Sequence, residues 1–279
     1  MQLASQSIND ATVAKLVSYK LYSQITTIKL DFLQVETLLL LLDSFSHFNQ
    51  DFALYLINLV DKKESLETGL LKGESPILFR LCEEKYYECV KYYVSKGYEL
   101  GNIPVLFYAV RDNQVDIVWL MRSTYLTCSN LAYGAIKVAI KFKRWNLATV
   151  FLNGSQHTMR NLVDLLFTVI ESGQGTEFLE SLLVDHNVDA SLDDNYAIRI
   201  ASRVGNPGHV ELLLKNPTVN PAARNNESLV AAVTAGHLSI VKLLLGDKRV
   251  DPSAQNHSAL HIAIQNKRLD IEQAIRNAM

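Results

Sequence analysis

The sequence predicts an all-α solenoid of helix-turn-helix repeats with a helical cap at its N-terminal end. Apolar residues recur at a period of about 31 residues over residues 74–279. Each period holds two short apolar stripes at helical spacing, separated by a glycine or polar turn. The composition, 48% hydrophobic and 20% charged, is that of an ordered globular chain.

The repeat is clearest toward the C-terminus. The segment Val188-Asp189-Ala190-Ser191 recurs as Val219-Asn220-Pro221-Ala222 and as Val250-Asp251-Pro252-Ser253, in two steps of 31 residues. In the same frame, an apolar residue opens each predicted first helix at Leu78, Leu106, Ile136, Leu166, Ile198, Leu229 and Leu260. These positions lie 28 to 32 residues apart, and the copy around Leu166 needs one inserted residue near Gly175 to keep phase.

One copy shows why each period predicts two helices. Leu229, Ala232 and Val233 form one apolar stripe, and Gly236 is placed to end that helix. Residues 238–245 carry a second stripe. Helices this short do not bury a stripe alone, so the copies are expected to stack side by side around one continuous core.

Two motifs resemble the ankyrin repeat family. Ser258-Ala259-Leu260-His261-Ile262-Ala263 resembles Thr-Pro-Leu-His-x-Ala, and residues 235–245 resemble the Gly-His-x-x-Ile-Val-x-x-Leu-Leu second half. The likeness covers about residues 74–279 and is strongest over 188–279. The resemblance implies that His261 hydrogen-bonds between neighbouring hairpin turns. It also implies that turn tips and first helices line a concave, protein-binding side.

The two ends of the chain differ from the array. Residues 1–73 do not keep the frame and predict helices at 13–21, 38–45 and 52–60, with an inserted loop beginning at Asp61. We interpret them as a cap or a degenerate repeat, and residues 74–279 as about seven repeats. A separate adaptor domain, such as a segment resembling an F-box, is the alternative, although the Leu-Pro opening of that family is missing. In the last copy Glu272 and Gln273 replace Val241 and Lys242, which predicts a polar C-terminal cap and a complete chain.

Charge and cysteine content restrict the class of partner. Lys and Arg number 27 and Asp and Glu 29, so no basic stripe predicts nucleic-acid binding. Cys82, Cys89 and Cys128 have no paired spacing, and Cys89 and Cys82 are expected to be buried. The apolar run at 38–42 is too short to insert into a membrane. We therefore expect an intracellular protein, cytoplasmic or alternatively nuclear.

No constellation in the sequence predicts catalysis. The histidines other than His237 and His261 have no partner at metal-ligand spacing: His47, His157, His186, His209 and His257. Gly173-Gln174-Gly175 lacks the Lys and the preceding strand of a phosphate loop. Asp193-Asp194-Asn195 lacks the closing Glu of a calcium loop and is interpreted as a solvated turn tip. We expect no catalytic residue, no cofactor and no metal.

The resemblance, together with the variable tips, predicts a protein partner. The expected binding residues are Tyr108, Arg111, Lys141, Phe142, Asp193, Asp194, Asn195, Arg203, Arg224, Asn225, Asn226, Gln255, Asn256 and His257. The predicted function is a monomeric, non-catalytic interaction module acting as a scaffold, adaptor or inhibitor. The alternative is a substrate-recognition subunit of a modifying complex such as a ubiquitin ligase, or a host–microbe effector.

Overall fold

A computed structural model describes residues 13, 30, 38, 41, 49–63, 76–95, 103–122 and 128–279. All regular structure in these ranges is helical, and no strand occurs in them. The chain divides into two compact units, Met1–Tyr125 and Leu126–Met279. The prediction of an all-α fold is confirmed.

The first unit holds five described helices. They are α1 (Gln50–Lys63), α2 (Pro76–Glu83), α3 (Tyr87–Ser95), α4 (Ile103–Arg111) and α5 (Val115–Leu120). The first helices of its two pairs, α2 and α4, pack together, as do the second helices, α3 and α5. Helix α1 packs against α3, and Asp61 lies within α1 rather than in a loop. Apart from the buried Val13, Leu38 and Leu41, the helices predicted at 13–21 and 38–45 lie outside the described residues.

The second unit consists of five helix pairs. They are α6 (Ser129–Lys141) with α7 (Trp145–Gly154), α8 (Met159–Ser172) with α9 (Thr176–Val184), α10 (Leu192–Val204) with α11 (Pro207–Lys215), α12 (Ala223–Ala235) with α13 (Leu238–Leu245), and α14 (Ala254–Gln265) with α15 (Leu269–Ala278). Each first helix packs on the next first helix, and each second helix on the next second helix. The predicted helix-turn-helix repeat is confirmed. The first helices form one layer and the second helices form another.

The core lies between these layers. The apolar residues expected to open the first helices lie within them instead, six or seven residues after the helix starts: Ile136, Leu166, Ile198, Leu229 and Leu260. The position three residues after each of them is fully buried in all five pairs: Ala139, Val169, Ala201, Ala232 and Ala263. A small side chain is needed there because successive first helices approach each other closely. In the last pair, α15 buries Ile271 and Ile275 and exposes Gln273 and Arg276, in line with the polar outer side that its sequence predicts.

The turn inside each pair passes through a left-handed backbone conformation. Gly236 has φ +80°, a conformation that glycine adopts without steric cost, and a Cβ there would lie 2.0 Å from the guanidinium of Arg268, which would have to move. The predicted end of α12 at Gly236 is confirmed. Helix α9 begins seven residues after the buried Val169, whereas the second helix begins six residues after that position in the other four pairs, which accounts for the inserted residue near Gly175.

Side chains at these turns connect neighbouring repeats. In three successive repeats the residue just before the second helix hydrogen-bonds to a backbone carbonyl at the end of the preceding repeat's first helix or in the turn after it. The pairs are Asn206 with Gly173 (3.0 Å), His237 Nε2 with Arg203 (3.1 Å) and Arg268 with Gly236 (2.8 Å). Each bond satisfies a carbonyl left open at a helix end, which fixes the register of one repeat on the next.

Candidate functional site

The exposed side of the first helices is the surface that varies from repeat to repeat. Two residues after the buried Ala or Val position the side chain is exposed in all five pairs of the second unit: Lys141, Glu171, Arg203, Thr234 and Gln265. We call this series and the exposed residues beside it the first-helix face. Five different residue types occupy one structural position, whereas the buried position two residues earlier is always Ala or Val.

The expected binding residues Lys141, Phe142 and Arg203 lie on this face. Phe142 is 39% exposed, and the Lys141 ammonium group lies 5.8 Å from the centre of its ring. Arg203 is exposed in the last turn of α10, where a cation interacts favourably with the helix dipole. The structure therefore leaves all three side chains open to solvent.

Tyr108 and Arg111 form a fixed cluster in the first unit. The Arg111 guanidinium lies 4.7 Å from the centre of the Tyr108 ring and 2.6 Å from the Asp112 carboxylate. The half-buried Tyr108 hydroxyl donates to Glu83 at 3.3 Å. The hydrogen bonds from Arg111 and from the Tyr87 hydroxyl hold the pKa of Asp112 at about 2. Asp112 is therefore ionised at neutral pH and keeps Arg111 in place beside the tyrosine.

The tips of the last three first helices share one backbone form. Three successive residues at the start of α10, α12 and α14 have left-handed dihedrals, with φ between +52° and +62°. The triplets are Asp193, Asp194 and Asn195; Arg224, Asn225 and Asn226; and Gln255, Asn256 and His257. Non-glycine residues rarely adopt this conformation in succession, and Asn and Asp tolerate it best. Nothing in the local sequence pattern predicted it.

The third residue of each triplet is less open than the sequence suggested. Asn226 is only 5% exposed and its side-chain oxygen accepts the backbone N–H of Asp251 at 3.2 Å. Asn195, half-buried, accepts the N–H of Asn220 at 2.6 Å in the same way. The expectation that Asn226 belongs to an exposed binding tip is wrong, because the next repeat covers it.

The other tip residues keep access to solvent. His257, the third residue of the last triplet, is half-buried, and its Nδ1 has no hydrogen-bond partner in the part of the chain that is described. The first two residues of each triplet are exposed: Asp193, Asp194, Arg224, Asn225, Gln255 and Asn256. These six remain available to a partner.

Arg199, which the sequence analysis did not single out, organises the first tip. It is 8% exposed and donates to the backbone carbonyls of Asp193 and Asp194, at 3.0 and 3.2 Å. Its guanidinium also pairs with Glu227 of the next repeat at 2.8 Å. Arg199 follows Ile198 as His261 follows Leu260, so the two residues share one position of the repeat. That shared position was the sequence signal that could have identified Arg199.

The role that the family resemblance implied for His261 is not seen. His261 is exposed, and its ring makes no hydrogen bond within the described residues. The corresponding Arg199 reaches Glu227 of the following repeat, whereas His261 belongs to the last helix pair that the structure describes. At this repeat position, a link to the next repeat is seen for Arg199 and not for His261.

A groove of about 590 Å³ opens beside Lys141. Its lining residues come from α6, α8, the turns after them and the first residue of α7: Lys137, Val138, Ile140, Lys141, Lys143, Trp145, Thr168, Glu171, Ser172 and Gln174. Trp145 is wedged between the Phe178 ring, 6.3 Å away between centres, and Gly175, where a Cβ would lie 2.4 Å from the indole. Of these residues the sequence analysis predicted only Lys141. The inserted residue near Gly175 was the available signal.

Two of the three cysteines, Cys82 and Cys89, are buried, and Cys128 is exposed. Burial raises the pKa of Cys82 and of Cys89 to about 12, so both remain protonated thiols that pack in the core, as predicted. No cluster of three His, Cys, Asp or Glu side chains suited to a metal ion occurs in the described ranges.

No helix within the described residues combines the length and the apolar character needed to cross a bilayer.

Comparison with known families agrees with this architecture. The family model for ankyrin repeats in three copies matches residues 136–256 and 198–277, which together span more than half of the chain. No curated protein matches the chain. Ankyrin repeats generally serve as protein–protein interaction modules. The motifs at 235–245 and 258–263, the stacked helix pairs and this match lead to one conclusion: the chain belongs to the ankyrin repeat family.

Proposed function

We propose that the protein is a non-catalytic interaction module, a scaffold, adaptor or inhibitor, that binds a protein partner through the first-helix face of residues 126–279. The observation that carries the proposal is a contrast between two positions that recur in every repeat. The position of Arg203 and Thr234 is exposed and chemically different in each repeat, whereas the position of Ala201 and Ala232 is buried and uniformly small.

Rigidity of this face supports the same function. The bonds from His237 and Arg268 to the preceding turns hold successive first helices in register. The Asn195 and Asn226 bonds do the same for the tips. A surface already ordered before binding loses less conformational entropy when a partner docks, so more of the contact energy appears as affinity.

Affinity capture with surface variants tests the proposal. The double substitution Arg203→Glu and Thr234→Arg changes two exposed residues of the first-helix face and leaves the buried stripes intact. We expect the variant to retain its partner about ten-fold less well, since exposed interface residues near the centre of a contact contribute most. The matched control, Lys242→Glu and Ser239→Arg, changes two exposed residues of the second helix α13.

Three readouts decide the outcome. Thermal melting must be equal for the two variants and the wild type, because every substituted side chain is exposed. Equal partner retention by the face variant and the wild type would contradict use of the first-helix face. A ubiquitin-ligase subunit among the retained proteins would favour substrate recognition within a modifying complex over a scaffold or inhibitor.

A further inference from the structure

The first-helix face departs from regular repeat packing at the groove beside Lys141. Within the described residues, this is where the repeat has an inserted residue. The residue inserted before α9 lies next to or at Gly175, whose missing side chain leaves room for the Trp145 indole. Val138 and Ile140 of α6 line the same groove, so its floor is mostly apolar. A floor of this kind suits a large apolar side chain of a partner.

The rim of this groove is basic, although the whole chain has a net charge of −2. Lys137, Lys141 and Lys143 line it, against one carboxylate, Glu171. Lys137 is already paired with Asp164 at 3.0 Å. Within the described residues Lys141 and Lys143 are exposed and have no carboxylate within ion-pair distance. Two ammonium groups are therefore available beside an apolar floor.

We propose that this groove binds a segment of a partner protein in which acidic residues flank one large apolar side chain. The apolar side chain would occupy the floor formed by Val138, Ile140 and Trp145. The flanking carboxylates would pair with Lys141 and Lys143. This inference rests on the proposed function and adds the chemistry of the partner to it.

Charge complementarity makes an acidic segment the preferred occupant. Opposite charge at the rim speeds association and opposes segments of the wrong sign, while the apolar contact sets how long the complex lasts. A basic segment would meet Lys141 and Lys143 at close range with only Glu171 to offset them. The groove therefore selects by charge at its rim and by size at its floor.

The probe is a phage-displayed library of random twelve-residue peptides, selected on the full chain. We expect the enriched peptides to carry Asp or Glu beside Leu, Ile, Phe or Trp. Each is then synthesised with a fluorescent label and titrated by anisotropy. Lys141→Glu with Lys143→Glu should weaken binding about ten-fold or more, as should Thr168→Arg, which places a bulky cation in the groove.

Matched controls separate a groove effect from a general one. Lys242→Glu with Lys248→Glu makes the same change of net charge at exposed positions away from the groove. Ala231→Arg introduces arginine at the frame position of Thr168, three residues before Thr234, where no groove residue lies. Both controls should bind the peptides as the wild type does.

Tryptophan emission gives an independent readout. The chain has two tryptophans, so Trp119→Phe leaves Trp145 as the only one. Peptide binding in the groove should shift or quench the Trp145 emission in this background. An unchanged emission on saturation would place the peptide elsewhere and overturn the proposal.

The remaining outcomes are equally decisive. Failure to enrich any peptide, or enrichment without acidic residues, overturns the groove assignment. If peptides enriched without acidic residues lose affinity for the Arg203→Glu and Thr234→Arg variant, the first-helix face still binds protein. In that case only the acidic-segment inference fails. Peptides that bind all of these variants as they bind the wild type count against both proposals.

Discussion

The side-chain oxygen of Asn226 accepts the backbone N–H of Asp251 across the interface between two successive repeats, at 3.2 Å. The same bond joins Asn195 to Asn220 one repeat earlier, again over a separation of 25 residues. Asn226 also has φ +62°, a conformation that asparagine tolerates better than most residues. One residue type therefore meets two requirements, a left-handed backbone and a hydrogen bond to the next loop.

Asn226→Ala should destabilise the array more than Asn225→Ala does. Both residues have left-handed dihedrals, but Asn225 is exposed, so its substitution measures the backbone cost alone. The additional loss at Asn226 should be about 1–2 kcal/mol, the net contribution of a part-buried hydrogen bond. Urea unfolding of the two variants measures the difference, and equal stabilities would show that the bond contributes nothing.

Ala232→Asp should disrupt the packing of repeats. Ala232 is fully buried where α12 contacts its neighbours, so an aspartate there would be an unpaired buried charge. We expect a loss of about 3 kcal/mol or more in the free energy of unfolding. Ala235→Asp, at an exposed position of the same helix, should cost at most about 1 kcal/mol. Similar melting temperatures for the two variants would refute this account of the core.

Stability should fall as the solution is acidified, in part because of His209. His209 is fully buried, and the backbone of Gln174 only partly offsets the cost of charging its ring. Burial lowers its pKa below the ordinary 6.5, so below that pH the unfolded chain binds a proton that the folded chain does not. The stabilisation is therefore complete above pH 6.5 and decreases as the pH falls, by at most about 1.4 kcal/mol per pH unit for one proton.

Unfolding by urea at pH 7.5 and pH 5.5 checks the sign. His209→Leu places an apolar side chain that cannot be protonated in the same space. This variant should lose less stability between the two pH values than the wild type does. The burial of His157 lowers its pKa as well, so part of the pH dependence should persist in the variant. An identical loss in both proteins would exclude His209 as a source of the acid sensitivity.

If the first unit takes part in binding, Tyr108→Ala with Arg111→Ala should weaken partner capture. The stacked tyrosine and arginine belong to the residue types most often found at interface hot spots, and removal of such a pair can cost about 2 kcal/mol. Arg122→Ala is the control, since Arg122 is exposed beside Trp119 and stacks on it at 5.3 Å. Equal capture by both variants would exclude the Tyr108–Arg111 cluster from the interface.

A melting curve must accompany that experiment. Arg111 holds Asp112 through a 2.6 Å ion pair, so its removal takes away a charged partner and leaves the hydrogen bond from the Tyr87 hydroxyl. Arg111→Lys restores a positive charge and separates loss of the fold from loss of the interface. If the Arg111→Lys variant captures the partner as the wild type does, the loss of capture is due to the missing charge rather than to the missing planar guanidinium.

The sequence by itself determined the helix pairs, the small buried position of Ala232, the end of α12 at Gly236 and the extra residue near Gly175. These features follow from apolar spacing and backbone preference, which act over a few residues and repeat in every copy. The assignment of residues 1–73 as a cap, and the binding roles of the exposed tips, stay predictions.

Tertiary structure alone decided which polar residues are buried. Asn225 and Asn226 are adjacent and identical in type, yet the first is exposed and the second is 5% exposed. Arg199 is buried as well, because its guanidinium meets two backbone carbonyls and Glu227 of the next repeat. Burial of a polar group is favourable only when its partners are in place. The partners in the next repeat, Asp251 for Asn226 and Glu227 for Arg199, lie 25 and 28 residues along the chain, beyond the range of any local pattern.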